Sequence, residues 1–214
     1  MTDGLEALAD VVSVSRETGE RLATYVALLT KWQRAENLIA PSTLPAVWRR
    51  HVADSAQLVG LFPDTRRWLD LGSGAGFPGL VVAILGMDHA ETVVHLVESN
   101  RKKCAFLRAA IRETRAPAVV HEGRIDSVIA SWSEPVERIS ARALAPLTDL
   151  LALAAPLMEL GVPAAFHKGQ DFVREISEAT QSWAFDLVKH DSRVGDGGAI
   201  LDISSLHRAP GIHG

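Results

Sequence analysis

The residues best able to do chemistry stand together in one stretch, Asp70-Leu71-Gly72-Ser73-Gly74-Ala75-Gly76-Phe77-Pro78-Gly79. Four glycines within eight residues exceed what a tight turn needs, and glycine lets a backbone approach a ligand closely. Two templates fit. Gly74, Gly76 and Gly79 match the G-x-G-x-x-G spacing that brings a pyrophosphate to a helix N-terminus in dinucleotide-binding folds. Asp70, Gly72, Gly74 and Gly76 match the D-x-G-x-G-x-G loop that holds S-adenosylmethionine in doubly wound methyltransferases. Glu98, closing the next apolar run, suits either ligand as an acceptor for ribose hydroxyls. Asp70 separates them. A carboxylate pointing into the ligand crevice repels a pyrophosphate and attracts the ammonium group of a methionine moiety. The loop therefore favours S-adenosylmethionine. An NAD-dependent dehydrogenase is the first alternative, although no hydride-transfer set is evident. A non-catalytic adenosine-ligand or RNA-binding module is the second, since fold alone does not settle function.

The elements that must position this loop are legible around it. Arg67-Trp68-Leu69-Asp70-Leu71 is a short apolar strand leading into the turn, and 92–97 is β-branched and strand-like. Residues 99–114 follow as a helix, then strands at 118–120 and 136–140. A helix spans 145–160 with Pro146 in its first turn, followed by a strand at 162–166 and a helix over 171–182. Late strands lie near 183–189 and 199–203. Strands alternating with helices predict an α/β fold: a doubly wound, mostly parallel sheet of the Rossmann-like S-adenosylmethionine-dependent methyltransferase type. Residues 1–62 read instead as a helical N-terminal segment packed on that domain, which occupies 63–214. Leu22, Val26, Leu29 and Trp32 recur at helical spacing. After a break at Pro41-Ser42, a second helix with Pro45 in its first turn is expected to run to near Pro63.

Composition bounds the possibilities. With 214 residues the chain can bury a core without staples, and 47% hydrophobic with 22% charged residues is an ordinary globular profile. A formal charge of −4 excludes a strongly basic nucleic-acid arm, yet the charge is uneven. Arg101, Lys102, Lys103, Arg108, Arg112, Arg115 and Arg124 face only Glu113 and Glu122 within 101–124. That stretch is either a solvated helix face or a local footprint for a polyanion. Its single cysteine, Cys104, cannot form an internal disulfide and is expected to be buried; no secretory or membrane-spanning run is found, so a cytoplasmic protein is expected.

In order and spacing, roughly Trp32 to Gly169 resembles one family, the bacterial ribosomal RNA small-subunit methyltransferase G (RsmG, GidB) enzymes. The resemblance rests on Asn37-Leu38-Ile39-Ala40, Arg50-His51-Val52-Ala53-Asp54-Ser55, the loop from Leu69 to Gly79, and Val97-Glu98-Ser99. It continues through Arg101-Lys102-Lys103, Phe106-Leu107-Arg108, Gly123-Arg124, Ala141-Arg142-Ala143-Leu144-Ala145-Pro146-Leu147 and Lys168-Gly169. It implies methylation of N7 of one guanine in small-subunit ribosomal RNA, with S-adenosylmethionine as donor. The restricted basic footprint adds the expectation that the RNA is met within an assembled or assembling subunit, and a monomer is expected. By the same resemblance Gly72 and Phe77 line the cofactor site, Ile125-Asp126 contact its adenine end, and Arg142 belongs to it. Departures occur at Ala141, where the family commonly has serine, at Asp126, where glutamate is usual, and throughout 195–214.

Guanine N7 carries an exposed lone pair and a sulfonium donor is already activated, so neither a general base nor a metal is required; alignment is. Arg124, Arg142 and Lys168 are the candidates for positioning the acceptor, through phosphate, the guanine carbonyl or the cofactor carboxylate. Each has an alternative as a salt-bridge partner at a strand end. His51 and Asp54, three apart on one helical face, are expected to interact and to fasten the helical segment to the core. His167, beside Lys168, is more simply satisfied locally.

Overall fold

The computed structural model describes residues 3–194 and 197–209. Its helices are α1 (Asp3–Glu6), α2 (Arg16–Gln33), α3 (Asp54–Leu61), α4 (Gly79–Leu85), α5 (Arg101–Thr114), α6 (Ile125–Ala130), α7 (Leu147–Met158) and α8 (Phe172–Ala179). Its strands are β1 (Arg67–Leu71), β2 (Val93–Glu98), β3 (Ala118–Glu122), β4 (Arg138–Arg142), β5 (Ala164–Lys168), β6 (Trp183–Asp191) and β7 (Ala199–Arg208). They form one seven-stranded sheet in the order β3-β2-β1-β4-β5-β7-β6. β1 to β5 are parallel; β7 runs antiparallel to both β5 and β6.

The apolar runs explain the layering. Trp68, Leu69, Asp70 and Leu71 are all buried, as a central parallel strand covered on both faces requires. One face packs Leu22, Tyr25 and Leu29 of α2 together with Leu80, Leu96 and Phe106. The other packs Leu69 and Ile139 with Leu150, Leu151, Phe166 and Trp183. The N-terminal helices thus share a core with one face of the sheet. α2 begins at Ser15, whose hydroxyl accepts from the Thr18 N–H, and α5 at Asn100, whose side chain accepts from the N–H groups of Lys102 and Lys103. Cys104 is fully buried, its thiol donating to the Glu98 carbonyl. No helix among the described residues is long and apolar enough to cross a membrane.

Three expectations need correction. Residues 41–62 do not form one α-helix: a 3-10 turn (Pro41–Ala46) leads into a π-helical turn (Trp48–Ala53) and only then into α3. Pro45 has no N–H to donate to the Pro41 carbonyl, so an α-helical ladder begun at Pro41 is interrupted there. Strands expected at 136–140 and 162–166 lie two residues later. The two strands therefore end on Arg142 and Lys168. Asp202, anomalous in an apolar strand, is satisfied by Arg138 of β4 across the sheet. The tail beyond Ala209 and residues 195–196 lie outside the described residues.

Candidate cofactor and acceptor site

Strand order reverses between β1 and β4, and the crevice at the carboxyl ends of such strands is where doubly wound folds place ligands. The glycine-rich loop leaves β1 at this point. Gly72, Gly74 and Gly76 all have positive φ, at 66°, 56° and 98°. Gly74 is the informative one, because a Cβ added there would meet nothing closer than the Gly72 carbonyl at 3.8 Å. At Gly79 a Cβ would lie 2.5 Å from Leu96 and 2.7 Å from Asp70, so this glycine serves close helix–strand packing.

Glu98 holds the loop in place. One carboxylate oxygen accepts from the Gly74 N–H at 2.8 Å and the other from the Asn100 N–H at 2.7 Å. From the opposite side the Tyr25 hydroxyl of α2 donates to the Ala75 carbonyl. Burial pushes the Tyr25 phenol well above its ordinary range, which keeps it a donor.

These elements enclose a cavity of about 600 Å³, within the range of small-molecule sites. Gly72, Gly74, Phe77, Glu98, Arg124, Ile125, Asp126 and Arg142 all line it, although they come from four separate parts of the chain. Leu38, Ile39, Ala40 and Thr43 close it from the N-terminal segment. Arg124 is largely exposed at the rim, 3.5 Å from the Asp126 carboxylate.

Asp70 departs from its expected orientation. It is completely buried beneath the loop and does not line the cavity. One oxygen accepts from the Ser140 hydroxyl at 2.8 Å; the other, turned toward Gly79, has no well-formed hydrogen bond. Ser140 is therefore the anchor for Asp70, and Ala141, directly opposite Leu71 in the sheet, packs in the core. Gly76 likewise packs against Leu80 and lies outside the lining. Burial raises the Asp70 pKa to about 6, against the smaller opposing pull of its hydrogen bonds and of Arg142. Its folded form holds a proton more tightly than the unfolded chain. The stabilising contribution is complete below about pH 4 and lost as pH rises through about 6, on the order of 3 kcal/mol by linkage. Asp70→Asn, which stays neutral, is expected to gain stability over the unmodified protein as pH rises from 4 to 7. Urea unfolding at several pH values measures this, and parallel stability curves would refute it.

A second cavity of about 320 Å³ adjoins the first and is lined by Arg50, His51, Asp54, Arg142, His167, Lys168 and Glu175, among others. Thr43, His51, Arg142 and Ala143 line both, so they form the shared wall. Arg142 is clamped there: Nη1 donates to the Arg50 carbonyl at 3.0 Å and lies 3.2 Å from Asp54 Oδ2, while Nη2 is 2.6 Å from His51 Nδ1. His51 and Asp54 thus meet through Arg142 rather than bonding to each other. Burial and then the Arg142 charge hold the His51 pKa down to about 3, so its imidazole is neutral. His167 Nε2 bonds the Asp54 carbonyl at 3.0 Å.

Lys168 has a side chain only 8% exposed, which is ion-paired with Glu175 and donates to the Ala145 carbonyl at 2.9 Å. Glu175 in turn accepts from the Leu147 N–H at 2.7 Å. Lys168 thereby secures the 143–147 turn, where Ala143 has φ 52°. Lys168→Ala is expected to lower methyl transfer about tenfold or more while leaving donor affinity within about twofold, because it lines only the second cavity. Parallel calorimetric and steady-state measurements check this; a matching loss of donor affinity would refute it. Glu175 carried no sequence signal, Thr43 stood only as a helix-cap candidate and Ala143 only as part of the Ala141–Leu147 motif, since each joins the site through long-range packing.

Comparison with known proteins agrees with this architecture. The family model of GidB, rRNA small subunit methyltransferase G, matches residues 18–199. A Ribosomal RNA small subunit methyltransferase G from Chelativorans sp. is 49% identical over 209 residues, covering 97% of this chain and 99% of that protein. One of the same name from Bradyrhizobium diazoefficiens is 50% identical over 202 residues, covering 94% of this chain and 77% of that protein. Among solved structures, an O-methyltransferase from Bacillus cereus in complex with SAH superposes with a TM-score of 0.55 at 15% identity, covering 91% and 93% of the two chains. The O-methyltransferase TomG from Streptomyces achromogenes, in complex with SAM, gives 0.57 at 12% identity, covering 90% and 91%. At such low identity these two speak for the fold. The near full-length relatives and the family model go further, and this chain belongs to the rRNA small subunit methyltransferase G family.

Proposed function

We propose that this chain transfers a methyl group from S-adenosylmethionine, held in the larger cavity, to N7 of a guanine in small-subunit ribosomal RNA, held in the smaller one. The observation that carries this reading is the meeting of the two cavities at Thr43, His51, Arg142 and Ala143. The residues suit the donor: space opens over Gly74, Glu98 retains acceptor capacity toward ribose, and Ile125 and Asp126 stand at the far end. When bound, the donor supplies a methyl carbon already activated by its sulfonium. Residues 1–62 then act as a helical cover on a methyltransferase domain of 63–214, and both cavities lie within one chain, which suits a monomer working in the cytoplasm.

Chemistry at N7 asks for alignment, which in favourable systems is worth up to ~7–11 kcal/mol. The product purine is cationic, and a free guanidinium beside it would oppose the reaction. Here Asp54 compensates the charge of Arg142, and His51 is neutral. The shared wall therefore presents directed hydrogen-bonding groups with little net positive field.

Outside the cavities the basic footprint is narrow. Arg101 and Lys102 have highly exposed side chains on the first turn of α5, and their nearest carboxylates are Glu122 at 3.5 Å and Glu36 at 2.9 Å. A chain of charge −4 with so small a footprint gains little from indiscriminate phosphate contact. An intact small subunit or late assembly particle is thus expected to be methylated faster than protein-free ribosomal RNA, because RNA shape supplies recognition. Charge reversal at Arg101 and Lys102 should slow the reaction and flatten its salt dependence, with cofactor affinity unchanged. Initial rates of radiolabelled methyl transfer to both substrates, at matched magnesium and salt, test the reading. Faster methylation of naked RNA would overturn the particle preference, and no transfer to either would overturn the activity.

A further inference from the structure

The wall between the two cavities is a hydrogen-bond chain with one possible direction. The Arg142 guanidinium can only donate, so at 2.6 Å from its Nη2 the His51 Nδ1 must be the acceptor. The ring proton then sits on Nε2, which donates to Thr43 Oγ1 at 2.8 Å. The Thr43 hydroxyl passes its own proton on to the Ala40 carbonyl at 2.8 Å. The donor at each link is thereby assigned, from Arg142 through His51 and Thr43 to the Ala40 carbonyl. The three side chains come from a strand end, a π-helical turn and a 3-10 turn. Phe77 of the glycine-rich loop stacks on the imidazole, ring centroids 5.0 Å apart and planes 28° apart, so the ring cannot turn freely.

We propose that His51, held as its Nε2–H tautomer by Thr43, is the positioning residue that aims Arg142 at the junction of the donor and acceptor cavities. This rests on the methyl-transfer reading of those cavities. Two features set it apart from a plain staple between the helical segment and the sheet. Asp54 and the Arg50 carbonyl already tether Nη1, so anchorage does not need the imidazole. Thr43, His51 and Arg142 also line both cavities, where a purely structural pin would lie behind the wall. The neighbouring His167 bonds the Asp54 backbone instead and lines only the smaller cavity.

The test is a double-mutant cycle in the full-length protein, read by kcat and KM on small subunits purified from cells lacking this protein. His51→Ala should lower kcat by about 10- to 100-fold, the scale of a 1 Å misplacement at a reacting centre, well beyond any change in donor KM from its place in the donor-cavity wall. Thr43→Val keeps the shape but removes the acceptor for Nε2–H, and should cost about 3- to 10-fold in kcat. If the residues act as one chain, the double variant is no slower than His51→Ala alone. His51→Gln, whose amide both donates and accepts, should recover part of the loss. Additive losses, or losses that follow melting temperature or donor affinity, would show a structural staple and overturn the proposal. Should His51→Ala fail to fold, Thr43→Val and His51→Gln decide between the same outcomes. Inactivity of the unmodified protein on these particles would count against the methyl-transfer reading and is seen before any variant is made.

Discussion

Gly74→Val is expected to weaken S-adenosylmethionine binding by at least about 100-fold while leaving the fold intact. Two effects act, one on stability and one on affinity. Gly74 has φ 56°, where a β-branched residue is a genuine outlier, and such strain costs on the order of 1–3 kcal/mol. The new side chain would also project where no protein atom lies within 3.8 Å of the added Cβ, taking cavity volume without clashing with the scaffold. The strain falls on free and bound protein alike and shows as lost stability, whereas occlusion of the cavity acts on affinity; a 100-fold loss corresponds to about 2.8 kcal/mol of donor contact. Calorimetric titration with S-adenosylmethionine and with its demethylated product measures it, and circular dichroism checks the fold. Donor affinity within tenfold of the unmodified protein would show that the loop does not cradle the ligand. Equal binding of NAD by the unmodified protein would revive the dehydrogenase alternative.

Arg142→Ala should have the largest effect on turnover, about 10²- to 10³-fold, together with a measurable loss of stability. The guanidinium joins Asp54, the Arg50 carbonyl and His51, so its removal frees the shared wall on both sides. It also strands the Asp54 carboxylate, whose side chain is only 11% exposed. Breaking a buried pair in this way costs about 3 kcal/mol at the low end of the usual range, or roughly 6–12 °C in Tm for a chain of this size. Arg142→Lys should rescue little. A single ammonium cannot reproduce the planar fork that serves three acceptors at once. Turnover within threefold of the unmodified protein, at a temperature where the variant is folded, would remove Arg142 from the site.

Much of the architecture was legible because its signals are local. β1 lies where Arg67 to Leu71 form an apolar run, and α5 falls within the helix expected over 99–114. The π-helical turn was not legible. It follows a proline-bearing 3-10 turn and carries His51 and Asp54 to a strand end far along the chain, contacts that local periodicity does not register. α6 was missed because six residues give too little periodicity to register.

The same division runs through the site. By itself the sequence determined that a glycine-rich turn follows β1 and that an acidic residue closes β2, since turn chemistry and strand pattern act between near neighbours. It also determined that strands lead toward Arg142 and Lys168, although both end two residues later than expected. Only the tertiary structure decided that Asp70 is buried under the loop, that Glu98 fastens Gly74, and that Lys168 is spent on Glu175. It alone brought His51 to Arg142 across 91 residues of chain. The physical reason is that a side chain's role depends on which hydrogen-bond partners remain once the backbone is folded, and those partners come from elsewhere in the chain.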